Sequence, residues 1–486
     1  MKSPGLSSMR RLSGFGMRDL HDAYVIPIDR EEALRELLDL AKISRRQITL
    51  RGAGQSYGDA AGAPEGWIAD LRPMNQILNW DQTTGLLTAQ AGVTLATLCR
   101  HVLADGFWPA VVSGTSAITL GGALAMNIHG KNAFREGTLG ESVTEIVVMG
   151  SRGIAKRLTP DDRDFWIWIG GAGQFGAILQ ATLRMKRLPS AALEVRVFRA
   201  SSLQEQFEIF ERETADQEYC VGWLDGFASG EELGRGLIHS ARSSETPSSE
   251  AELRRALQPR RSLASKILLP ERRWGLGRML QFPLVRKVIH ALKSDVILHD
   301  HFRQNCFDFH FLLDALPNWQ KVFSPGGLIQ FQPFVPWDDA LNTFRTLLQD
   351  CQDHDFVPSL AVLKKHRASP FALDYAGDSY SLALDFPVQL HRESQLLSFL
   401  EGQTERLLMQ GSRFYFAKDI LLQPQHLGMF LAPSLLHELQ DAKSRWDPEN
   451  LFTSAQAERM GWQAKPNEKG SPTAGTVEPQ DRGENV

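Results

Sequence analysis

Apolar side chains at Leu34, Leu37, Leu38 and Ala41 recur at the three-and-four spacing of a single helix face, and short apolar runs at Tyr24–Ile28 and Ile48–Leu50 flank them. Asp29 followed by Glu32 has capping-box spacing, with Asp in place of the usual Ser or Thr, and predicts that the helix begins there. Strand, helix, strand and then a glycine loop is the βαβ order of a ligand-binding α/β layer. A second unit repeats the theme. Leu86–Ala91 reads as a strand, Gly92 as a turn, and Leu95–Ala104 as a helix stopped by Gly106. Glu145–Met149 predicts a further strand with a turn at Gly150–Gly153. Thr159-Pro160 predicts a helix start with proline at its first position. An alternating strand is expected near Ile178–Met185.

The pattern changes at about Pro189. Glycine clusters stop, and aromatic strand-like runs take over at Leu328–Phe334, Ser359–Leu363 and Ser381–Val388, which predicts a second domain built on an antiparallel sheet. Ser243–Glu250 reads as a polar loop. The tail after Gln463 is rich in Pro, Gly, Glu and Thr without periodicity and is expected to be disordered.

Composition narrows the function classes. The chain has 486 residues, of which 43% are hydrophobic, enough for a large core in two or three domains. A net charge of −4 offers no global field for nucleic acid. Cys99, Cys220, Cys306 and Cys351 are far apart and form no CxxC pair, so neither a metal site nor a disulfide framework is expected, and a reducing compartment fits. No apolar core of a signal peptide follows Arg10 and Arg11, and no run of about 18 apolar residues occurs, so the expected location is the cytoplasm. One segment departs from the average. From Arg254 to Lys293 there are eleven Lys/Arg residues and a single acid, Glu271, with Leu268, Leu269, Trp274, Leu276, Met279 and other apolar residues interleaved. That composition suits either a solvated basic face or a surface that meets anionic lipid at the inner membrane face.

The chemistry is concentrated in glycine loops that follow strand-like runs. The first is Arg51-Gly52-Ala53-Gly54-Gln55-Ser56-Tyr57-Gly58-Asp59. The second runs through Ser113-Gly114-Thr115, Leu120-Gly121-Gly122-Ala123 and Asn127-Ile128-His129-Gly130-Lys131-Asn132, and a third through Ile169-Gly170-Gly171-Ala172-Gly173-Gln174-Phe175-Gly176. Glycine lets backbone approach a ligand closely and leaves N–H groups free to face an anion. Several such loops point to a large phosphorylated cofactor held along its length. A P-loop is excluded, because no cluster continues as Gly-Lys-Ser/Thr. A dinucleotide fingerprint fits poorly, because Tyr57 occupies the third glycine position.

The order of these loops resembles the vanillyl-alcohol-oxidase-type FAD proteins and, more narrowly, the decaprenylphosphoryl-β-D-ribose 2'-oxidase family. The likeness extends through Arg11-Leu12-Ser13-Gly14-Phe15-Gly16, Gly327-Leu328-Ile329-Gln330-Phe331-Gln332, Ala383-Leu384-Asp385-Phe386-Pro387, Tyr415-Phe416-Ala417-Lys418-Asp419 and Trp446-Asp447-Pro448, roughly residues 10 to 461. The resemblance implies an α+β, two-domain PCMH-type FAD-binding fold. It places the FAD domain at 18–190, an antiparallel-sheet substrate domain at 191–410, a C-terminal segment returning to the FAD domain at 411–461, and a tail at 462–486. Many relatives bond a histidine of the first loop to the flavin. Tyr57 stands there in this chain, so the resemblance implies non-covalent FAD.

By the same resemblance, Gly52, Ala53, Gly54, Gln55, Ser56, Tyr57, Gly58, Gly114, Thr115, Gly121, Gly122, Asn127, His129, Ile178 and Tyr415 are the expected FAD contacts. His129 and Lys418 are the expected catalytic pair. A lysine after the apolar run Phe414–Ala417 is either snorkelling to solvent or held beside the flavin, where its charge would stabilise the reduced anion. Gln330, Gln332, Lys364 and Lys418 are the expected substrate contacts. The two glutamines, two apart, share one strand face, exposed or ligand-bearing. Three positions depart from the family pattern: Ala383 replaces a cysteine, His310 a tyrosine, and His366 an aromatic. The implied activity is oxidation of a secondary hydroxyl of a sugar, a polyprenyl-phosphate-linked pentose or related glycolipid, as the 2'-oxidation step of an epimerisation. A short-chain reductase partner and quinone or oxygen as electron acceptor would complete it. The alternatives are a soluble sugar or aldonolactone oxidase and a non-catalytic lipid- or partner-binding protein retaining the fold.

Overall fold

The computed structural model describes residues 9–18, 20–64, 66–257, 300–315 and 319–462. Most of the basic segment (258–299) and the tail after residue 462 lie outside the described residues.

The first sheet contains β1 (Met9–Leu12), β2 (His21–Pro27), β3 (Thr49–Arg51) and β4 (Trp67–Asp70) in the order β1-β2-β4-β3. β2 and β3 each pair with β4 in parallel, and the helix Glu31–Ser44 makes the crossover between them. Leu34, Leu37, Leu38 and Ala41 are its buried residues, packed with Ile26, Ile28, Ile48 and Phe452. The helix starts later than its capping signature implies. Arg30 is the N-cap and makes no side-chain cap bond, while the Asp29 carboxylate accepts from the Arg30 guanidinium at 2.9 Å. An ion pair with its neighbour thus draws that carboxylate away from the helix N–H groups.

The second sheet is antiparallel. It comprises β5 (Ile77–Asp81), β6 (Leu86–Gln90), β7 (Phe107–Pro109), β8 (Val143–Met149), β9 (Ala155–Leu158) and β10 (Ala177–Arg187), in the order β5-β6-β10-β8-β9 with β7 on the far end of β10. The helix Leu95–Leu103 packs beside it, capped by Thr94, whose hydroxyl accepts from Thr97 N. No helix starts at Thr159-Pro160. Asp162 Oδ2 accepts from Thr159 N and closes a turn there, and the short helix spans Phe165–Trp168.

The third sheet contains β11 (Ala192–Ala200), β12 (Tyr219–Leu224), β13 (Gly236–Ser243), β14 (His301–Asn305), β15 (Leu328–Phe331), β16 (Pro333–Pro336), β17 (Leu360–His366), β18 (Ser379–Pro387) and β19 (Arg413–Phe414). The order is β14-β11-β13-β12-β17-β18-β16-β19, with β15 also on β18, and every pair is antiparallel. The run expected as one strand at Leu328–Phe334 divides at Gln332 into β15 and β16, both paired with β18. The helices Leu203–Asp216 and Trp337–Asp353 cover one face. Period-2 alternation sends Ala361, Leu363, Leu382 and Leu384 to that side, and Leu360, Val362, Lys364, Ala383 and Asp385 to the other. After residue 410 the chain touches both ends of the molecule. β19 joins the large sheet, and Ile48 N donates to Leu451 O beside the first sheet. The architecture is α+β, and among the described residues no helix is long and apolar enough to cross a membrane.

Candidate active site

A cavity of about 440 Å³ lies between the glycine loops and the uncovered face of the large sheet. The loop side contributes residues 52–57, Gly114, Thr115, Gly121, Gly122 and Ile178. The sheet side contributes Gln330, Gln332, Lys364 and Ala383, and the segment after β19 adds Tyr415 and Lys418. The expected site residues, separated by up to 366 positions between Gly52 and Lys418, therefore meet in one space. Gly58 and Asn127 do not line it. A Cβ at Gly58 would lie 2.2 Å from Asp419 O, so this glycine serves close chain packing. Asn127 is fully buried with φ 43°. Its Oδ1 accepts from Gly140 N at 2.9 Å and its carbonyl accepts from Tyr375 Oη at 2.8 Å, so its polar atoms shape the loop from behind.

The loops fit an extended phosphorylated group. The N–H groups of residues 52–56 donate to no acceptor among the described residues, whereas Tyr57 N is spent on Ala417 O. A Cβ at Gly52 would fall 2.1 Å from Thr119 Oγ1 and one at Gly121 2.8 Å from Ala91 Cβ, so larger side chains would close the cradle. Arg51 holds the turn, donating to Ser13 O at 2.7 Å and Ala61 O at 2.9 Å.

At the far end of the cradle stands a cluster of bases. The His129 ring is buried among Phe334, His366, Tyr375 and Tyr415 at centroid distances of 5.9, 4.9, 6.0 and 5.4 Å. Burial first, then the charges of Lys364, His366 and Lys418, hold its pKa well below the imidazole range, so it is neutral near pH 7. Lys418 Nζ lies 3.7 Å from the centroid of the Tyr57 ring. It does not snorkel to bulk solvent. Burial lowers its pKa and the nearby Asp385 carboxylate opposes that shift. Asp385 is fully buried, and burial raises its pKa against the pull of its bond from Gln330 and the charge of Lys418. One of its oxygens, Oδ2, has no hydrogen-bond partner among the described residues. Gln330 and Gln332 are buried, which excludes the exposed-face reading; they donate to Asp385 Oδ1 and Ser381 Oγ. Lys364 faces the cavity with its pKa brought down to about 8 by burial.

Several residues of the site escaped the sequence reading. Lys131 lines the cavity, donates to Phe309 O and lies 4.2 Å from the centroid of the Phe309 ring, its pKa lowered to about 7 by burial and by Lys364. Its place two residues after His129 was a usable signal. Val221, Trp223 and His239 come from β12 and β13, and only the register of that hairpin brings them to the cavity face. Asp314 closes the rim, accepting from Thr115 Oγ1 at 2.6 Å, Ser116 N at 2.8 Å and Ser116 Oγ at 2.6 Å. His310 also lines the cavity, stacked on Trp108 at 5.6 Å.

A cradle of free N–H groups opening onto cavity-lining amines and a neutral imidazole is the site of a cofactor-dependent enzyme. Residues 22–159 match the family described as "FAD binding domain", and the chain is an FAD-dependent oxidoreductase. It is 28% identical over 470 residues to decaprenylphosphoryl-beta-D-ribose oxidase of Mycolicibacterium smegmatis, covering 93% of this chain and 98% of that protein. It is 27% identical over 176 residues to a putative D-arabinono-1,4-lactone oxidase of Neurospora crassa, covering 36% of this chain and 31% of that protein. A third relative, L-gulonolactone oxidase of Bos taurus, is 25% identical over 200 residues, 41% of this chain and 44% of that protein.

Proposed function

We propose that this enzyme oxidises a secondary hydroxyl of a sugar carried on a polyprenyl phosphate, a pentose or related glycolipid, with FAD held non-covalently. The carrying observation is the position of three cavity-lining amines, Lys131, Lys364 and Lys418, where the cofactor cradle meets an apolar strand face of Val221, Trp223, Leu360 and Val362. Buried cations suit a phosphate, and the strand face suits an apolar chain. The full-length likeness to a polyprenylphosphoryl-sugar oxidase supports the same substrate class.

In this reading Gly52, Ala53, Gly54, Gln55, Ser56, Gly114, Thr115, Gly121, Gly122 and Ile178 hold FAD. Tyr57 occupies the loop position where a covalent histidine would stand. FAD held in this cradle would supply two-electron oxidation: the carbinol hydrogen would leave as hydride and the hydroxyl hydrogen as a proton to a base, for which His129 and Lys418 are the candidates, so that the alcohol becomes a ketone. His129, neutral, accepts the hydrogen bond of the substrate hydroxyl and orients it. Lys418, over the Tyr57 ring, would offer positive charge to the negative charge that a bound flavin gains on reduction. Gln330, Gln332 and Lys364 contact sugar and phosphate oxygens. Residues 18–190 with 411–461 form the FAD domain, and 191–410 the substrate domain. The keto product would pass to a short-chain reductase, and quinone or oxygen would reoxidise the flavin.

The test is anaerobic bleaching of bound flavin against prenyl-phospho-pentoses, free sugars and aldonolactones. Bleaching by the prenyl-linked sugars alone is expected. Bleaching by free sugars or lactones alone favours the soluble oxidase, and a protein purified without flavin favours a binding role. The basic segment 254–293 is proposed to bring the enzyme to the inner membrane face. Binding to anionic vesicles should then fall when Arg272, Arg273 and Arg278 become Glu, by about 1 kcal/mol per charge; unchanged binding retires the membrane contact.

A further inference from the structure

The short helix Ala455–Arg459, capped by Ser454, does not line the cavity, yet it holds both sides of the site. Toward the first glycine loop, Arg459 Nε and Nη2 donate to the two oxygens of Asp59, each at 2.9 Å, and Ala455 N donates to Gly62 O at 3.0 Å. Toward the turn that carries Lys418, Arg459 Nη2 donates to Asp419 Oδ2 at 3.0 Å, Nη1 donates to Leu422 O, and Gln456 Nε2 donates to Phe416 O at 2.7 Å. The three charged side chains are withdrawn from water, at 17% exposure for Arg459, 9% for Asp59 and 4% for Asp419. Asp59 lies two residues after Tyr57, and Asp419 directly follows Lys418, whose Nζ is 3.7 Å from the centroid of the Tyr57 ring. Between the two carboxylates Tyr57 N donates to Ala417 O at 2.9 Å. Asp419 also knots its own turn, Oδ1 accepting from Leu421 N at 2.8 Å and Leu422 N at 2.9 Å. Two buried carboxylates repel each other unless a cation stands between them. The guanidinium therefore supplies the charge that lets these two segments close, and Lys418 closes over Tyr57 with them.

We propose that Arg459 is a positioning residue for Lys418: by holding Asp59 and Asp419 together from behind the cavity, it fixes the amine against the Tyr57 ring and the cofactor cradle. Arg459, Asp59 and Asp419 do not line that cavity. Their effect on a bound flavin is relayed by the residues they hold, and of these Lys418 carries the charge. A lysine does not replace the fork. The guanidinium serves Asp59 Oδ1 and Oδ2, Asp419 Oδ2 and Leu422 O from three nitrogens in one plane, whereas an ammonium has three donors on a single nitrogen.

The inference rests on the proposed charge role of Lys418 toward the flavin. The test places Arg459→Lys in the wild-type and Lys418→Ala backgrounds and reads the midpoint potential of the bound flavin against a reference dye, which needs no sugar. Lys418→Ala should lower the potential. Arg459→Lys should lower it too, weakening the equilibrium for reduction by about tenfold, or about 30 mV for a two-electron couple. A charge that retreats from about 4 to about 6 Å at an effective dielectric near 20 loses roughly that much. In the Lys418→Ala background the same substitution should shift the equilibrium by less than about threefold, because the group it positions is gone. An equal shift in both backgrounds, as a merely structural role would give, overturns the proposal, and so does a wild-type potential in Arg459→Lys. Asp59→Asn, isosteric and uncharged, should act in the same direction by a smaller amount that vanishes without Lys418. It decides the question if Arg459→Lys does not retain FAD, and an unchanged potential there overturns the proposal. An unchanged potential in Lys418→Ala overturns the charge role of Lys418 and this inference with it. If no sugar bleaches the wild-type flavin, the substrate reading fails while the potentials still decide this inference.

Discussion

Lys443→Met tests how the cofactor cradle is held from behind. Lys443 and Asp447 both have fully buried side chains, with Nζ 2.7 Å from Asp447 Oδ2. Nζ also donates to Gln174 O and Phe452 O, each at 2.8 Å, while Asp447 accepts from Leu451 N at 2.8 Å and Phe452 N at 2.9 Å. Methionine fills most of the volume but leaves a buried carboxylate without its cation and two carbonyls without a donor. Breaking a buried pair from one side costs about 3–5 kcal/mol. At roughly 2–4 °C per kcal/mol for a cooperative unit of 150–250 residues, the melting temperature should fall by about 6–20 °C. The damage should also reach the ligand, because Gln174 lies in the third glycine cluster between Gly173 and Phe175, which line the cavity. The assay is thermal unfolding followed by both tryptophan and flavin fluorescence, with flavin released at or before global unfolding. Adding Asp447→Asn removes the stranded charge and should recover part of the loss. A Lys443→Met protein that melts within about 1 kcal/mol of wild type, with flavin retained, would refute the reasoning, since that is the behaviour of an exposed pair.

Lys418→Ala should slow flavin reduction by about 100- to 1000-fold, the usual loss for one preorganised charge-stabilising group, in stopped-flow with the best sugar substrate; an unchanged rate rejects its electrostatic role. Binding of a prenyl phosphate should tighten as pH falls through about 8, because Lys364 gains its proton there and a bound anion favours the charged form. Lys364→Gln should lose that dependence by calorimetry, leaving the weaker one near pH 7 from Lys131; an identical pH dependence would exclude Lys364 from the anion site. Asp314→Asn keeps the shape of the rim but weakens charged bonds to Thr115 and Ser116. It should raise the FAD dissociation constant by at least about tenfold, or 1.4 kcal/mol, by equilibrium dialysis. No change would mean that this contact is dispensable for holding the loop.

Much of the site was legible because its chemistry is written locally. Free N–H groups at residues 52–56 follow from glycines in an ordered loop after a strand, and that relation survives in any packing. The helix face Leu34, Leu37, Leu38 and Ala41 was readable for the same reason: its neighbours are three and four residues away. The capping at Asp29 and the helix at Thr159-Pro160 were misread because each depended on one side chain with a competing partner, Arg30 in one case and Asp162 in the other. Trp223 and His239 left no trace, since a strand residue's face is decided by the register of its sheet.

Asn127 and His129 make the division clear. The sequence Asn-Ile-His-Gly places both residues in one glycine loop, where either could meet a ligand. In the fold, a positive φ turns Asn127 inward onto Gly140, and His129 faces the cavity among rings from residues 334, 366, 375 and 415. Glycine spacing depends on backbone sterics within a few residues, so the order of side chains alone carries the cofactor class. Protonation states depend on desolvation and on charges brought from distant strands. The neutral His129, the depressed pKa values of Lys131, Lys364 and Lys418, and the influence of the Asp385 charge on Lys418 therefore exist only once β17, β18 and the segment after β19 close over the loops.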